Sequence, residues 1–316
     1  MIVGAMRKPI PPPSIDAVFP PNQGFLYYEH REDHPFQPRA TTFSKVNAWW
    51  LAEAALLAYA DADLASAAFV HAGLRLGGDQ PFTGPSTQCY VAHNDDFVIV
   101  SFRGTQVIKP ELEVPLPDVV RAVIRDVLAD ARVRLVDSTL GGRVHCGFKS
   151  ALAEVWEDRV SPHLSRLHAE RARPVWFTGH SLGAALATLA ARSHSSAQGL
   201  YTFGSPRVGD RNFAATFRLE NSYRFVNNND LVTRVPVVDL LDPLGSPYKH
   251  VKHLKHIDSA GRIHDEVSVF SGALDSVFGH FDSALEFTAN LEGLPVDALN
   301  DHAPLYYAIH TWNDLL

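Results

Sequence analysis

The chain has 316 residues, of which 46% are hydrophobic and 20% charged, a balance that supports a large buried core and excludes wholesale disorder. Lys and Arg number 28 against 35 Asp and Glu, so the net charge of −7 offers no general attraction to phosphate backbones and excludes nucleic acid as an expected partner. No window approaches the roughly 18 consecutive apolar residues of a membrane span, so no transmembrane segment is expected. The opening MIVGAMRKPIPPP has the wrong order for a secretory signal; the expectation is a cytoplasmic or non-classically exported protein.

In chain order, Pro9, Pro11, Pro12, Pro13, Pro20 and Pro21 stiffen the first segment, and residues 1–40 read as an arm lying across the domain formed by 41–316. Asn47 to Ala60 is apolar all round and predicts a buried helix. Cys89 and Cys146 are too few for a framework and read as two buried free thiols. Phe97 to Phe102 predicts a strand. Between Gln106 and Asp130, Val119, Val120, Val123, Ile124, Val127 and Leu128 form one helical stripe, which fits either a core-facing helix or an amphipathic cover. After a strand near Val133, Phe148 to Arg171 and Leu182 to His194 read as helices, interleaved with strands at Val175 to Thr178, Leu200 to Phe203 and Tyr223 to Val226. Short apolar strands alternating with helices predict an α/β fold whose mainly parallel sheet is flanked by helices.

The sharpest chemical feature is strand, Gly179-His180-Ser181-Leu182-Gly183, then a helix rich in small residues. This is G-x-S-x-G in the context a nucleophile elbow requires. Side chains at the two glycine positions would collide with the sharp turn at Ser181, and the helix aims its first N–H groups at the reaction centre. Serine needs a base, and the base a carboxylate, following in the order Ser, Asp, His. Asp230, ending an apolar strand and preceding Pro236, fits the carboxylate. The base is harder to read, because seven histidines follow Asp230. His250, His253, His256 and His264 suggest a metal site by spacing, but the intervening residues look strand-like and complete no recognised ligand set. No metal and no organic cofactor are expected.

Beyond the elbow, the sequence resembles the class 3, fungal-type triacylglycerol lipase family over residues 44–312. Val98 to Thr105 (VIVSFRGT) is similar to its strand ending in FRG[ST]. Val144 to Phe148 (VHCGF) is similar to VHxGF, and Tyr201 to Gly209 (YTFGSPRVG) to TFGxPRVG. Asn227 to Val232 resembles NxxDxV, with Thr233 where proline is usual. The arm has no recognised counterpart. The resemblance implies an α/β-hydrolase fold with a lid segment in the Gln106 to Asp130 stretch, where Val119, Val120, Val123, Ile124 and Val127 would face the acyl site. It implies Thr105 and the backbone of Leu182 as the oxyanion hole, Arg103 as a loop anchor and His250 as a structural histidine. Asn300 to Tyr307 resembles DHxxxY, which implies His302 as the base, with His280 and His310 as rivals. The implied activity is hydrolysis of carboxylic esters, most of all acyl esters of glycerolipids, through an acyl-enzyme on Ser181. A phospholipase A1, a short-chain or aromatic-acid esterase and a catalytically inactive interaction protein are the alternatives. The expected partner is a lipid or other ester substrate, and oligomeric state is not legible.

Overall fold

The computed structural model describes residues 6–105, 134–236, 248–265 and 300–316. The stripe from Val119 to Leu128 and the rival base His280 lie outside these described residues.

Thirteen strands occur among the described residues: β1 Arg75–Leu76, β2 Phe82–Thr83, β3 Gln88–His93, β4 Val98–Phe102, β5 Leu135–Asp137, β6 Arg143–His145, β7 Val175–His180, β8 Ala197–Phe203, β9 Gly209–Asp210, β10 Ser222–Asn227, β11 Tyr248–Lys249, β12 His253–Ile257 and β13 Ile263–His264. The main sheet runs β1-β3-β4-β7-β8-β10-β12-β13, with β2 on β3. Its centre, from β4 through β7, β8 and β10 to β12, is parallel, and antiparallel strands flank it. A smaller antiparallel sheet, β11-β9-β6-β5, lies beside it.

Strands β3, β4 and β7 are buried at every residue, as expected when helices cover both faces. Alternation then sorts their side chains. Ile99, Trp176 and Tyr201 enter a core with the helices Lys45–Leu57 and Pro304–Leu315. Val98, Val100, Phe177 and Leu200 enter a second core, which the helices Cys146–Ala153, Ser161–Glu170 and Leu182–Ser193 share. The helix Lys45–Leu57 is apolar all round because it lies between the sheet and Pro304–Leu315, where Trp49 meets Trp312 with ring centres 5.0 Å apart. It starts earlier than Asn47 because Ser44 caps it, its hydroxyl accepting from Asn47 N–H at 3.1 Å.

Two sequence expectations change. The single helix expected over 148–171 is two helices separated by a π-turn at Trp156–Val160, and Pro162 in the first turn of the second supplies no N–H to extend the first. Of the two thiols expected to be buried, Cys89 is, whereas Cys146 is only half-buried at the start of its helix; both are free.

Register aligns the carboxyl ends of the parallel strands. Phe102 pairs with Gly179, His180 with Phe203, and Phe203 with Phe225. The segments that follow these strands, holding Thr105, Ser181, Gly204 and Asp230, therefore emerge along one edge of the sheet, where open α/β sheets place their ligands.

Candidate active site

At the end of β7 the chain reverses into the helix Leu182–Ser193 through Ser181, whose φ is 57° and ψ −127°. A non-glycine residue holds that conformation only when its surroundings enforce it. They do so here: Ser181 N–H donates to Phe203 C=O at 3.0 Å, and Ser181 C=O accepts Ala184 N–H at 3.0 Å. A Cβ at Gly179 would lie 2.3 Å from Gly183 O, and one at Gly183 would lie 2.1 Å from Phe102 O. Any side chain at either position would force the turn open. Leu182 N–H, first in the helix, is among the amino-terminal donors that lack an intrahelical acceptor.

The loop after β4 lies beside the elbow. A Cβ at Gly104 would sit 3.1 Å from Ser181 Cβ, so the FRGT turn, with Thr105 next in line, rests against Ser181. Arg103 anchors this loop: its backbone N–H donates to Gln88 C=O at 2.9 Å and its Nη1 to Gln88 Oε1 at 2.7 Å.

Asp230 follows β10 and is fully buried. His302 Nδ1 lies 2.9 Å from both Asp230 carboxylate oxygens, Tyr307 Oη donates to Oδ2 at 2.5 Å, and Val232 N–H donates to Oδ1 at 3.0 Å. Facing carboxylate oxygens, Nδ1 carries the imidazole proton, which puts the ring's lone pair on Nε2. Burial, then the charge of Asp230, hold the Tyr307 hydroxyl well above its ordinary pKa, so it remains a donor. The turn before Asp230 is pinned from the same segment. Asp301 accepts from Asn228 Nδ2 at 3.0 Å and Asn229 N–H at 3.1 Å, and Asn227 Nδ2 donates to Asp301 C=O at 3.0 Å.

His180 joins the three segments. Its Nε2 is 2.7 Å from His302 O and its Nδ1 2.8 Å from Tyr59 Oη. A carbonyl can only accept, so the His180 proton sits on Nε2 and Nδ1 accepts from the tyrosine. Burial, then the neighbouring His302, push the pKa of His180 well below the ordinary histidine value, and the ring stays neutral. Tyr59 also accepts from Gly104 N–H. One chain of hydrogen bonds thus links the loop after β4, the elbow and the backbone of His302.

Geometry therefore brings Ser181, Asp230, His302, Leu182 and the Gly104–Thr105 turn together. The rival His310 is directed elsewhere: a Cβ at Gly261, between β12 and β13, would lie 2.7 Å from its Nδ1. The histidines with metal-like spacing disperse. His250 Nε2 bonds Thr233 O at 2.8 Å, the His253 ring centre lies 5.4 Å from that of Tyr223, His256 Nε2 bonds Asn228 O at 3.1 Å, and His264 Nε2 bonds Asp258 at 3.1 Å. Tyr59, His180, Asp301 and Tyr307 had no assigned role in the sequence. Tyr307 stands beside the tyrosine of DHxxxY, but it is the second of the pair that reaches Asp230, whereas Tyr306 Oη donates to Pro11 C=O at 3.2 Å.

Part of the chain matches known proteins. Residues 99–240 match the family model described as lipase (class 3). The chain is 36% identical over 114 residues to a secreted mono- and diacylglycerol lipase of Fusarium solani, covering 33% of this chain and 32% of that protein. It is 33% identical over 158 residues to a chloroplastic phospholipase A(1) of Arabidopsis thaliana, covering 45% and 34%, and 30% identical over 183 residues to the toxin TseL of Vibrio cholerae, covering 47% and 28%. The chain thus spans about a third of the length of these relatives. Among solved structures, a mutant form of a Penicillium cyclopium protein superposes with a TM-score of 0.53 at 24% identity, over 76% of this chain and 95% of the other, and so shares the fold. With its ordered motifs, its elbow and its α/β-hydrolase sheet, the chain is similar to the class 3 lipases, whose family model it matches over residues 99–240.

Proposed function

We propose that this protein is a serine carboxylic-ester hydrolase that cleaves acyl esters of glycerolipids through an acyl-enzyme on Ser181. The observation that supports it most is the elbow serine at φ 57°, whose neighbour His180 packs on His302 with ring centres 4.4 Å apart, while His302 Nδ1 lies 2.9 Å from the Asp230 carboxylate. In this reading His302 Nε2 takes the Ser181 proton as Oγ attacks the ester carbonyl. Charge developing on the carbonyl oxygen is met by Leu182 N–H and by Thr105, each such donor being worth about 3 kcal/mol in the transition state. The imidazolium, stabilised by Asp230, then protonates the departing alcohol. Water then attacks the acyl carbon and gives a proton to His302, which returns it to Ser181 Oγ as the acyl–oxygen bond breaks, releasing the carboxylic acid.

Two of the relatives, a mono- and diacylglycerol lipase and a phospholipase A(1), are named for cleaving acyl esters of glycerolipids, which supports that substrate class. The experiment is an ester chain-length series, dissolved and emulsified, with a Ser181→Ala control and a phosphonate ester probe. Loss of turnover on the order of a millionfold in Ser181→Ala, with labelling confined to Ser181, is expected. Retention of more than a few per cent of activity in the pure variant refutes the serine mechanism. A rate that rises sharply past the solubility limit of the substrate identifies a lipase acting at a lipid–water interface; smooth saturation identifies an esterase.

A further inference from the structure

Residues 6–30 wrap the distal half of the helix Pro304–Leu315. Lys8 and Asn313 exchange two hydrogen bonds: Lys8 N–H donates to Asn313 Oδ1 at 2.8 Å, and Asn313 Nδ2 donates to Lys8 C=O at 2.8 Å. Trp312 Nε1 donates to Met6 C=O at 3.0 Å, and His30 stacks on the Trp312 ring at 5.0 Å. Lys8 Nζ closes the loop onto Leu26 C=O and Glu29, both at 3.3 Å. Apolar contact from Ala17, Val18 and Phe19 covers part of this junction, and an open cleft of about 710 Å³, lined among others by Pro11, Asn22, Phe25, Leu305 and Ile309, leaves the rest unfilled. The hydrogen bonds add the directional restraint on its register.

The helix so held begins two residues after His302, and its Tyr307 bonds Asp230. Its inner side meets Lys45–Leu57 through apolar rings and the exposed Lys45–Asp314 ion pair at 3.2 Å, and residues 6–30 add directional hydrogen bonds on its outer side. A misplacement of about 1 Å between reacting groups can cost on the order of a hundredfold in rate. We infer that residues 6–30 form a strap that positions the base, with Asn313 as the positioning residue that fixes the axial register of the helix and so the alignment of His302 with Asp230 and Ser181. Only the activity readout of its test rests on the hydrolase reading.

The test uses the full chain carrying Asn313→Ala, Asn313→Asp or Leu189→Ala. Leu189 lies in the core on the opposite face of the sheet, so its truncation lowers stability without touching the strap. At a temperature where all three are folded, Asn313→Ala should lower kcat on a dissolved ester about tenfold with KM unchanged. It should slow phosphonate labelling of Ser181 in the same ratio and broaden the downfield proton resonance of His302 Nδ1–H. Asn313→Asp keeps an acceptor for Lys8 N–H and should recover most of both; Leu189→Ala should change neither. An unaltered kcat and resonance in Asn313→Ala, or equal losses in Leu189→Ala, overturns the strap. A wild type that neither hydrolyses nor labels overturns the hydrolase reading instead, and the His302 resonance then decides the strap by itself. Should Asn313→Ala not fold, Tyr306→Phe, which removes only the bond to Pro11, makes the same comparison with an expected drop of about threefold.

Discussion

Glu53 is a fully buried carboxyl on the helix Lys45–Leu57, and its ionisation should leave a measurable imprint on stability. Oε2 accepts Tyr28 N–H and Oε1 accepts Trp49 Nε1–H, both at 2.5 Å, so the group joins the arm to the core. Burial raises its pKa from 4.5 to about 7, outweighing the opposing pull of Lys8 and of these two donors. Between those values the folded protein keeps a proton that the unfolded chain releases. The contribution is thus full below about pH 4.5 and lost as pH rises through about 7. At ~1.4 kcal/mol per pH unit the interval amounts to about 3 kcal/mol. Buried neutral histidines act in the other direction: burial holds His180 and His250 well below the ordinary value, so their contribution is lost as pH falls. The raw pH profile mixes both signs. The difference between wild type and Glu53→Gln isolates the carboxyl, since glutamine keeps the shape and cannot titrate. Urea unfolding of the two proteins at intervals from about pH 5 to about pH 8 should show the wild-type free energy falling by about 2–3 kcal/mol relative to the variant. Parallel curves across that range would falsify the assignment of a raised pKa to Glu53.

Two further outcomes concern the site. His302→Ala should be nearly as damaging to ester hydrolysis as Ser181→Ala, whereas His310→Ala, altering a ring that lies against Gly261, should retain most activity; a dead His310→Ala beside an active His302→Ala reverses the assignment. Tyr59→Phe removes the donor 2.8 Å from His180 Nδ1 and leaves that buried nitrogen unpaired, which should destabilise the fold by about 1–3 kcal/mol. The same change frees the Gly104–Thr105 turn and should lower kcat about tenfold with little change in KM; undiminished kcat in a variant that has lost stability refutes the link to the loop after β4.

Much of this arrangement is written in local pattern. Apolar runs of strand length, the G-x-S-x-G turn between β7 and its helix, and the close-approach glycines at 179 and 183 express constraints that act within a few residues, so the elbow and most of the parallel sheet are legible without coordinates. Asp230 is legible as the end of a strand, and His302 through the motif it shares with a family. What requires the tertiary structure is every pairing made across long separations. Tyr307 rather than Tyr306 reaches Asp230 because helical rotation relative to β10 selects between adjacent tyrosines, and no spacing within the segment encodes that angle. Tyr59 and His180 meet over 121 residues, and Lys8 and Asn313 over 305. A hydroxyl or an amide in the chain names no partner; only the crossing of strands and helices decides which buried polar groups must satisfy one another.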